Sequence, residues 1–231
     1  MKESSRSGRR RARATATVVS TGTESSGSEK PCRRADWWNS SLRRTMACHP
    51  ERRIPVGISS CLLGQPVRYD GGHKWNSLLV DELGKYFEYL PFCPEVAVGL
   101  GTPRSPIRLT GTPSQPRAVE IPIDGIDVTE KLAHYARWMV ETCPRISGYV
   151  FKAGSPSCGM AGVPVYDEQG IPSETSSGVY ACIVMRAWPS MPVEEEGRLR
   201  DPAIRDRFVE RVYAYDRWRD LRDQESIEQP V

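Results

Sequence analysis

The sequence predicts an α/β protein: a parallel-sheet domain with helices on both faces, a disordered basic N-terminal tail and a C-terminal helix. Three observations carry that reading. From residue 54 onward short β-branched runs alternate with helical patterns, three of those runs lead straight into Ser, Pro and Gly-containing loops that hold a cysteine, and residues 1–53 show neither periodicity. The longest fully apolar run, Val179–Met185, is seven residues, against the ~20 needed to span a bilayer, so no membrane partner is expected.

Charge divides the chain. Residues 1–53 hold 13 of the 32 basic residues and 5 of the 29 acidic ones, a local net of +8, which leaves the remainder at −5. Overall basicity is therefore a property of the tail, and it gives no argument that the folded part binds nucleic acid. The tail, rich in Arg, Ser, Thr and Gly, buries too little to order itself. Its Arg-rich, acid-poor start also fits the loose composition of a transit peptide, and its twin arginines loosely resemble a Tat signal without the apolar stretch. Met46, just before the first strand, is an alternative start.

The elements follow in order. "IPVGISSCLLG" reads as a strand entering a tight loop. "NSLLVDELGKYF" reads as a helix capped by Asn76, with Leu79, Leu83 and Tyr86 at helical spacing. "FEYLPFCPEV" is a second strand ending at Cys93. In "DVTEKLAHYARWMVETCPR" the residues Leu132, Ala136, Met139, Val140 and Cys143 share a helical face, with Asp127 or Thr129 as N-cap and Pro144 as terminator. "GYVFKAG" is a third strand and runs into "SPSCG". "TSSGVYACIVMRAW" fits either a helix capped at Ser176 or Ser177 or a buried strand. Finally "RDPAIRDRFVERVYAYDRWRDL" has Asp201 as N-cap, Pro202 at the first helical position, and Ile204, Phe208, Val212 and Tyr215 on one face. That face needs a partner: a further domain, the sheet domain, or another chain. "VAVGLGTP" lacks the spacing of a dinucleotide fingerprint, so neither that nor a P-loop is expected.

Seven cysteines, at 32, 48, 61, 93, 143, 158 and 182, are odd in number and widely spaced, with no secretory hydrophobic region nearby. A reduced, cytoplasmic protein is expected. Cys143 and Cys182 sit in apolar periodic runs and are assigned to core; Cys32 and Cys48 fall in the tail. Cys61, Cys93 and Cys158 each lie just beyond a strand, and in a parallel sheet such positions gather along one edge. Separations of 32 and 65 residues suit strand ends spaced by crossover helices. Three converging thiolates imply either a zinc site with an open position or an iron-sulfur cluster with one iron free of protein ligands. His73, in a Gly-rich loop, would complete a Cys3His zinc set or else be a solvated loop residue.

"SSCLLGQPVRYDGGHK", "PFCPEVAVGLGTPRSPIRL" and "KAGSPSCG", in that order over about residues 54 to 190, resemble the thiouracil desulfidase (TudS-like) family. The resemblance implies a 4Fe-4S cluster held by Cys61, Cys93 and Cys158, with the fourth iron open to the sulfur of a thiolated pyrimidine. "MPVEEEGRLRDPAIRDRFVERVYAYDRW" resembles the start of the helical domain in RudS-type proteins, which act on 4-thiouridine in tRNA. Residues 1–53 are thus read as tail, 54–190 as the desulfidase domain, and 191–231 as the truncated start of a helical domain. The implied substrate is thiolated uracil or 4-thiouridine, free, as a nucleoside or in tRNA. No feature of the sequence specifies an oligomeric state.

The resemblance also suggests Glu95 as general acid/base and a catalytic serine in "SPSCG", Ser155 in preference to Ser157. Plain alternatives are a surface carboxylate and hydroxyls that cap a turn. Arg68, Asp70 and Arg104 are candidates for substrate binding, since a guanidinium suits bidentate recognition, or else are surface ion-pair residues. Two other readings use the same features: a zinc-dependent hydrolase on the three cysteines, and a metal-stabilised RNA-binding module with a basic arm.

Overall fold

The structure, a computed structural model, describes residues 52–121, 125–143 and 145–228, with side chains to residue 224. The expected disorder of the tail, Cys32, Cys48 and the Met46 start lie outside the described residues.

The first sheet is wholly parallel. Its central strand β1 (Ile54–Ser59) pairs with β2 (Phe87–Phe92), from Ile54 opposite Phe87 to Ser59 opposite Phe92. On its other side β1 meets β5 (Tyr149–Phe151), which in turn pairs with β8 (Val193–Glu195), giving the order β2-β1-β5-β8. Because all four strands point the same way, the loops after β1, β2 and β5 emerge at one edge, as the cysteine positions require. The sheet extends past residue 190, since β8 forms its outer strand. A side chain at Gly57 would bring its Cβ to 2.4 Å from the Tyr149 ring, so only glycine lets that ring lie across β1.

Between β1 and β2 the expected helix is irregular. A π-type turn, Leu78–Glu82, passes into a 3-10 turn, Leu83–Lys85. Asn76 still caps it, its Oδ1 accepting the Leu79 N–H at 3.3 Å, and Leu79 and Leu83 are still the buried face. Gly84 weakens helix propensity in the last turn, and tertiary packing sets the geometry instead.

A second sheet has no counterpart among the elements expected from sequence. Strand β3 (Ile107–Thr112) runs antiparallel to β4 (Gln115–Glu120) and parallel to β6 (Val163–Tyr166). Strand β7 (Pro172–Ser176) closes the order β4-β3-β6-β7. Among the described residues four α-helices complete the fold: the single-turn α1 (Pro94–Ala97), then α2 (Thr129–Thr142), α3 (Val179–Ala187) and α4 (Pro202–Glu228). The ambiguous run is therefore strand then helix, and the helix is capped by Gly178 in place of Ser176 or Ser177. For α2 the cap residue is Val128, while Asp127 Oδ1 accepts the Thr129 N–H at 2.9 Å.

Leu132 and Ala133 of α2 pack with Ile107, Leu109 and Val165 of the second sheet. Ala136 and Met139 of the same helix, with Tyr180 and Val184 of α3, cover Tyr149 and Phe151. The opposite face of the first sheet receives α4. Asp201 Oδ1 accepts the Ala203 N–H at 2.8 Å, Phe208 meets Phe87 edge-on at 5.9 Å, and Val212 lies over Gly148. Ser147 Oγ donates to the buried Asp216 carboxylate at 2.7 Å. The apolar face of α4 thus belongs to the sheet domain.

Candidate active site

Each cysteine is fixed by its own turn at the end of a strand. Cys61 lies in a 3-10 turn, Ser60–Leu63, ended by Gly64 at φ 85°, and its carbonyl accepts the Lys74 N–H at 2.8 Å. Cys93 is the N-cap residue of α1, with Pro94 in the first helical position. Cys158 sits in the loop after β5. There Ser155 Oγ accepts the N–H groups of Ser157 and Cys158 at 3.3 and 3.1 Å, and Ser155 O accepts that of Gly159 at 2.7 Å. The N-terminus of α3 is seated on the same loop: Val179 N–H donates to Pro156 O and Ala181 N–H to Ser157 O, both at 3.1 Å. Free helix N–H groups thereby find acceptors, and the cysteine loop gains a rigid support.

All three cysteines line one cavity of about 420 Å³, together with Ser59, Arg68, Glu95, Arg104, Lys152 and Ser155. Burial pushes the Cys61 thiol up to about 11, Cys93 adds to this, and Lys152 and Arg68 oppose it. Burial also raises Cys93, and it raises Cys158 well above the ordinary thiol range. Three buried thiols that resist separate ionisation suit a cationic centre that replaces their protons and neutralises them together. Among the described residues no group of three or more His, Cys, Asp or Glu converges on the position of a single metal ion. His73 is exposed, and its Nδ1 accepts the Trp75 N–H at 3.1 Å; it does not line the cavity.

Glu95 is held by both oxygens. Oε2 accepts from Arg104 Nε at 3.0 Å and Nη2 at 2.6 Å, and Oε1 accepts from Ser157 Oγ at 2.7 Å. Arg104 is itself fully engaged, donating also to Val67 O at 3.0 Å, Gly101 O at 2.8 Å and Thr102 Oγ1 at 3.4 Å. With five N–H donors so occupied, none remains to fork onto a substrate. The two serines divide: Ser155 lines the cavity, whereas Ser157 is fully buried behind it, against Glu95. Arg68 lines the cavity, 3.6 Å from the Asp70 carboxylate. Asp70 itself does not. Its Oδ1 accepts the Gly72 N–H at 2.9 Å, a bond that holds its carboxyl below the usual range and makes it a turn residue outside the cavity.

Three further residues carry no signal in the sequence that assigns them a role. Ser59 Oγ accepts the Lys152 N–H at 3.0 Å, and its side chain hydrogen-bonds Cys158. Lys152 Nζ pairs with Glu196 Oε1 at 2.5 Å. Lys152 stands in the "KAGSPSCG" motif, whereas Glu196 is 44 residues away with no spacing to mark it.

The model of the 2-thiouracil desulfurase family matches residues 56–196. "Uncharacterized protein YbbK" of Bacillus subtilis (strain 168) is 32% identical over 139 residues, covering 56% of this chain and 89% of that protein. A solved structure, of a [4Fe-4S]-dependent thiouracil desulfidase named TudS, superposes with a TM-score of 0.51 at 35% identity, over 67% of this chain and 97% of its own. With the matched family region spanning the two sheets and all three cysteine loops, the chain belongs to the 2-thiouracil desulfurase family.

Proposed function

We propose that this chain is an iron-sulfur-dependent desulfidase that converts C=S to C=O in a thiolated pyrimidine and releases sulfide. The observation that carries the reading is the meeting of three strand-end cysteines and a clamped Glu95 on one cavity. Cys61, Cys93 and Cys158 would hold a 4Fe-4S cluster, a reading supported by the [4Fe-4S] dependence of the TudS relative. Such a group, with one iron free of protein ligands, supplies a soft Lewis acid for the substrate sulfur.

The overall change, C=S plus water to C=O plus hydrogen sulfide, needs no external electrons. Glu95 is placed beside Cys93 to take a proton from the attacking water and to return it as the C–S bond breaks. Arg104 and Ser157 fix both carboxylate oxygens, so that proton transfer requires no reorientation. The Ser155 hydroxyl, whose oxygen is occupied by two backbone donors, keeps its own proton for a substrate carbonyl or the water. Arg68, 3.6 Å from the Asp70 carboxylate, brings a guanidinium to the cavity wall, and Asp70 steadies the turn that carries it.

A cavity of about 420 Å³ lies in the range of small-molecule sites and would hold the cluster and the thiolated base together. The substrate is thiolated uracil or 4-thiouridine, as base, nucleoside or a tRNA nucleotide turned out of its stack. In the tRNA case the local net charge of +8 on residues 1–53 favours the phosphate backbone. Residues 54–190 carry the chemistry, and 191–231 begin a helical domain whose first strand and helix also close the catalytic one. The free thiols of all five described cysteines suit a reducing, cytoplasmic setting.

The test is anaerobic purification with iron and acid-labile sulfide determination, followed by 2-thiouracil or 4-thiouridine while near-ultraviolet absorption is recorded. About four irons per chain and decay of the thiocarbonyl band with sulfide release are expected. Stoichiometric zinc, or an iron-loaded protein that leaves both substrates intact, overturns the reading.

A further inference from the structure

The Lys152–Glu196 pair is an ion pair that packing alone does not explain. Their side chains are 18% and 14% exposed, and Lys152 Nζ also donates to Ala153 O at 2.7 Å. The second Glu196 oxygen accepts the Ala153 N–H at 2.8 Å, and the Glu196 N–H reaches Phe151 O at 3.3 Å. At the other end, the Lys152 N–H is held by Ser59 at the end of β1. Ordering a lysine side chain costs rotamer entropy, and a largely buried pair returns little net stability compared with apolar residues of the same size.

The pair is also oriented. Lys152 lines the cysteine cavity and Glu196 does not, so a neutral pair presents its positive end to the site. An ammonium has three N–H donors, and two are engaged by Glu196 and Ala153, leaving one uncommitted to these bonds. The sheet order β2-β1-β5 sets Glu95, after β2, and Lys152, after β5, on the two sides of Cys61. A base thus stands on one side and a fixed cation on the other.

We propose that Lys152 is a second charged residue of the reaction, stabilising the negative charge that develops on the pyrimidine as water attacks the C=S carbon, and that Glu196 is its positioning residue. The inference rests on the desulfidase reading above. Lys152 keeps its proton throughout, so the balance of atoms is unchanged: water adds, hydrogen sulfide departs, and the electron density displaced from the C=S bond meets a preorganised cation. A cation fixed before the reaction costs no reorganisation during it.

The test compares wild type, Lys152→Met, Lys152→Arg and Glu196→Gln as iron-loaded proteins, by iron content, by cluster midpoint potential from an EPR-monitored redox titration, and by turnover of 4-thiouridine. Lys152→Met is expected to keep its iron and lose roughly 10²-fold in kcat with little change in KM, and Lys152→Arg to recover part of that loss. Removing a positive charge makes an added electron less favourable, so Lys152→Met lowers the potential. Removing the negative charge does the reverse, so Glu196→Gln raises it, with a smaller loss in kcat. A packing defect would not give opposite signs. Near-normal turnover by Lys152→Met, or shifts of the same sign in both variants, overturns the inference while wild-type activity leaves the desulfidase reading standing. A wild type that binds no iron overturns both.

Discussion

Ser157 and Glu95, 62 residues apart in sequence, are joined by a 2.7 Å hydrogen bond that ties the loop after β5 to the first turn of α1. Each flanks a cavity cysteine, Ser157 beside Cys158 and Glu95 two residues after Cys93. The bond therefore fixes the spacing of two thiols as well as the orientation of a carboxylate. Arg104 closes the arrangement from a third segment by taking the other carboxylate oxygen.

Glu95→Gln separates the chemistry of this carboxylate from its geometry. The amide oxygen still accepts from Arg104, and its NH2 donates to Ser157 Oγ, which is able to accept. Iron content should therefore be unchanged, while turnover of a thiolated pyrimidine falls by about 10²-fold or more for want of a proton acceptor. Near-normal turnover removes Glu95 from the mechanism.

Arg104→Met tests the clamp through stability. Both partners are largely buried, with side chains 4% and 14% exposed, so the substitution leaves a desolvated carboxylate without its cation. Urea unfolding of the variant should show a loss of roughly 3–5 kcal/mol. The double variant Arg104→Met/Glu95→Gln should regain much of it, because no buried charge then remains, yet stay inactive. Unaltered stability in the single variant would contradict the clamp.

The three-cysteine assignment separates cleanly from the remaining thiols. Cys93→Ala should lose iron and activity together, while Cys182→Ala, in α3 and away from the cavity, should keep both. Iron measured per folded chain decides it: a fully loaded Cys93→Ala protein excludes Cys93 as a ligand.

The features legible in sequence were those with local signatures. β1, β2 and β5 are short apolar runs, α2 and α4 carry periodic faces, and Asp201 caps α4. The cysteines were legible because parallel strands send their ends to one edge. The second sheet carries no such signature: β4 and β7 are edge strands containing proline, β7 is almost wholly exposed and only Ala118 and Val119 of β4 are buried, so no continuous apolar run marks either. Arg104 is a plausible substrate ligand by residue type, yet only three-dimensional accounting shows its five donors already occupied. Asp70 beside Gly71 and Gly72 carries the composition of a turn, and that signal outweighs its proximity to Arg68. Glu196 meets Lys152 through the β5–β8 pairing, a contact that no local spacing encodes.

Gly178→Ala tests whether the Cys158 loop depends on its seat against α3. The Gly178 backbone, at φ −62°, suits any residue, so conformational strain is not at issue. Space is: an added Cβ would lie 2.5 Å from both the carbonyl carbon and the oxygen of Ser157, and 2.9 Å from Pro156 O. Those are backbone atoms and have no rotamer to change, so either the start of α3 or the 156–158 segment must move. Movement of that segment shifts Cys158 and withdraws Ser157 from Glu95 at once. The variant should remain folded by circular dichroism, with a stability loss of roughly 1–3 kcal/mol typical of overpacking, but bind less iron and turn over at least about 10-fold more slowly, since small misplacements of catalytic groups are costly. Gly197→Ala is the matched control, because its Cβ would meet nothing within 4 Å. Full iron and full turnover in Gly178→Ala, with Gly197→Ala indistinguishable from it, would show that the helix seat does not set the position of the third cysteine.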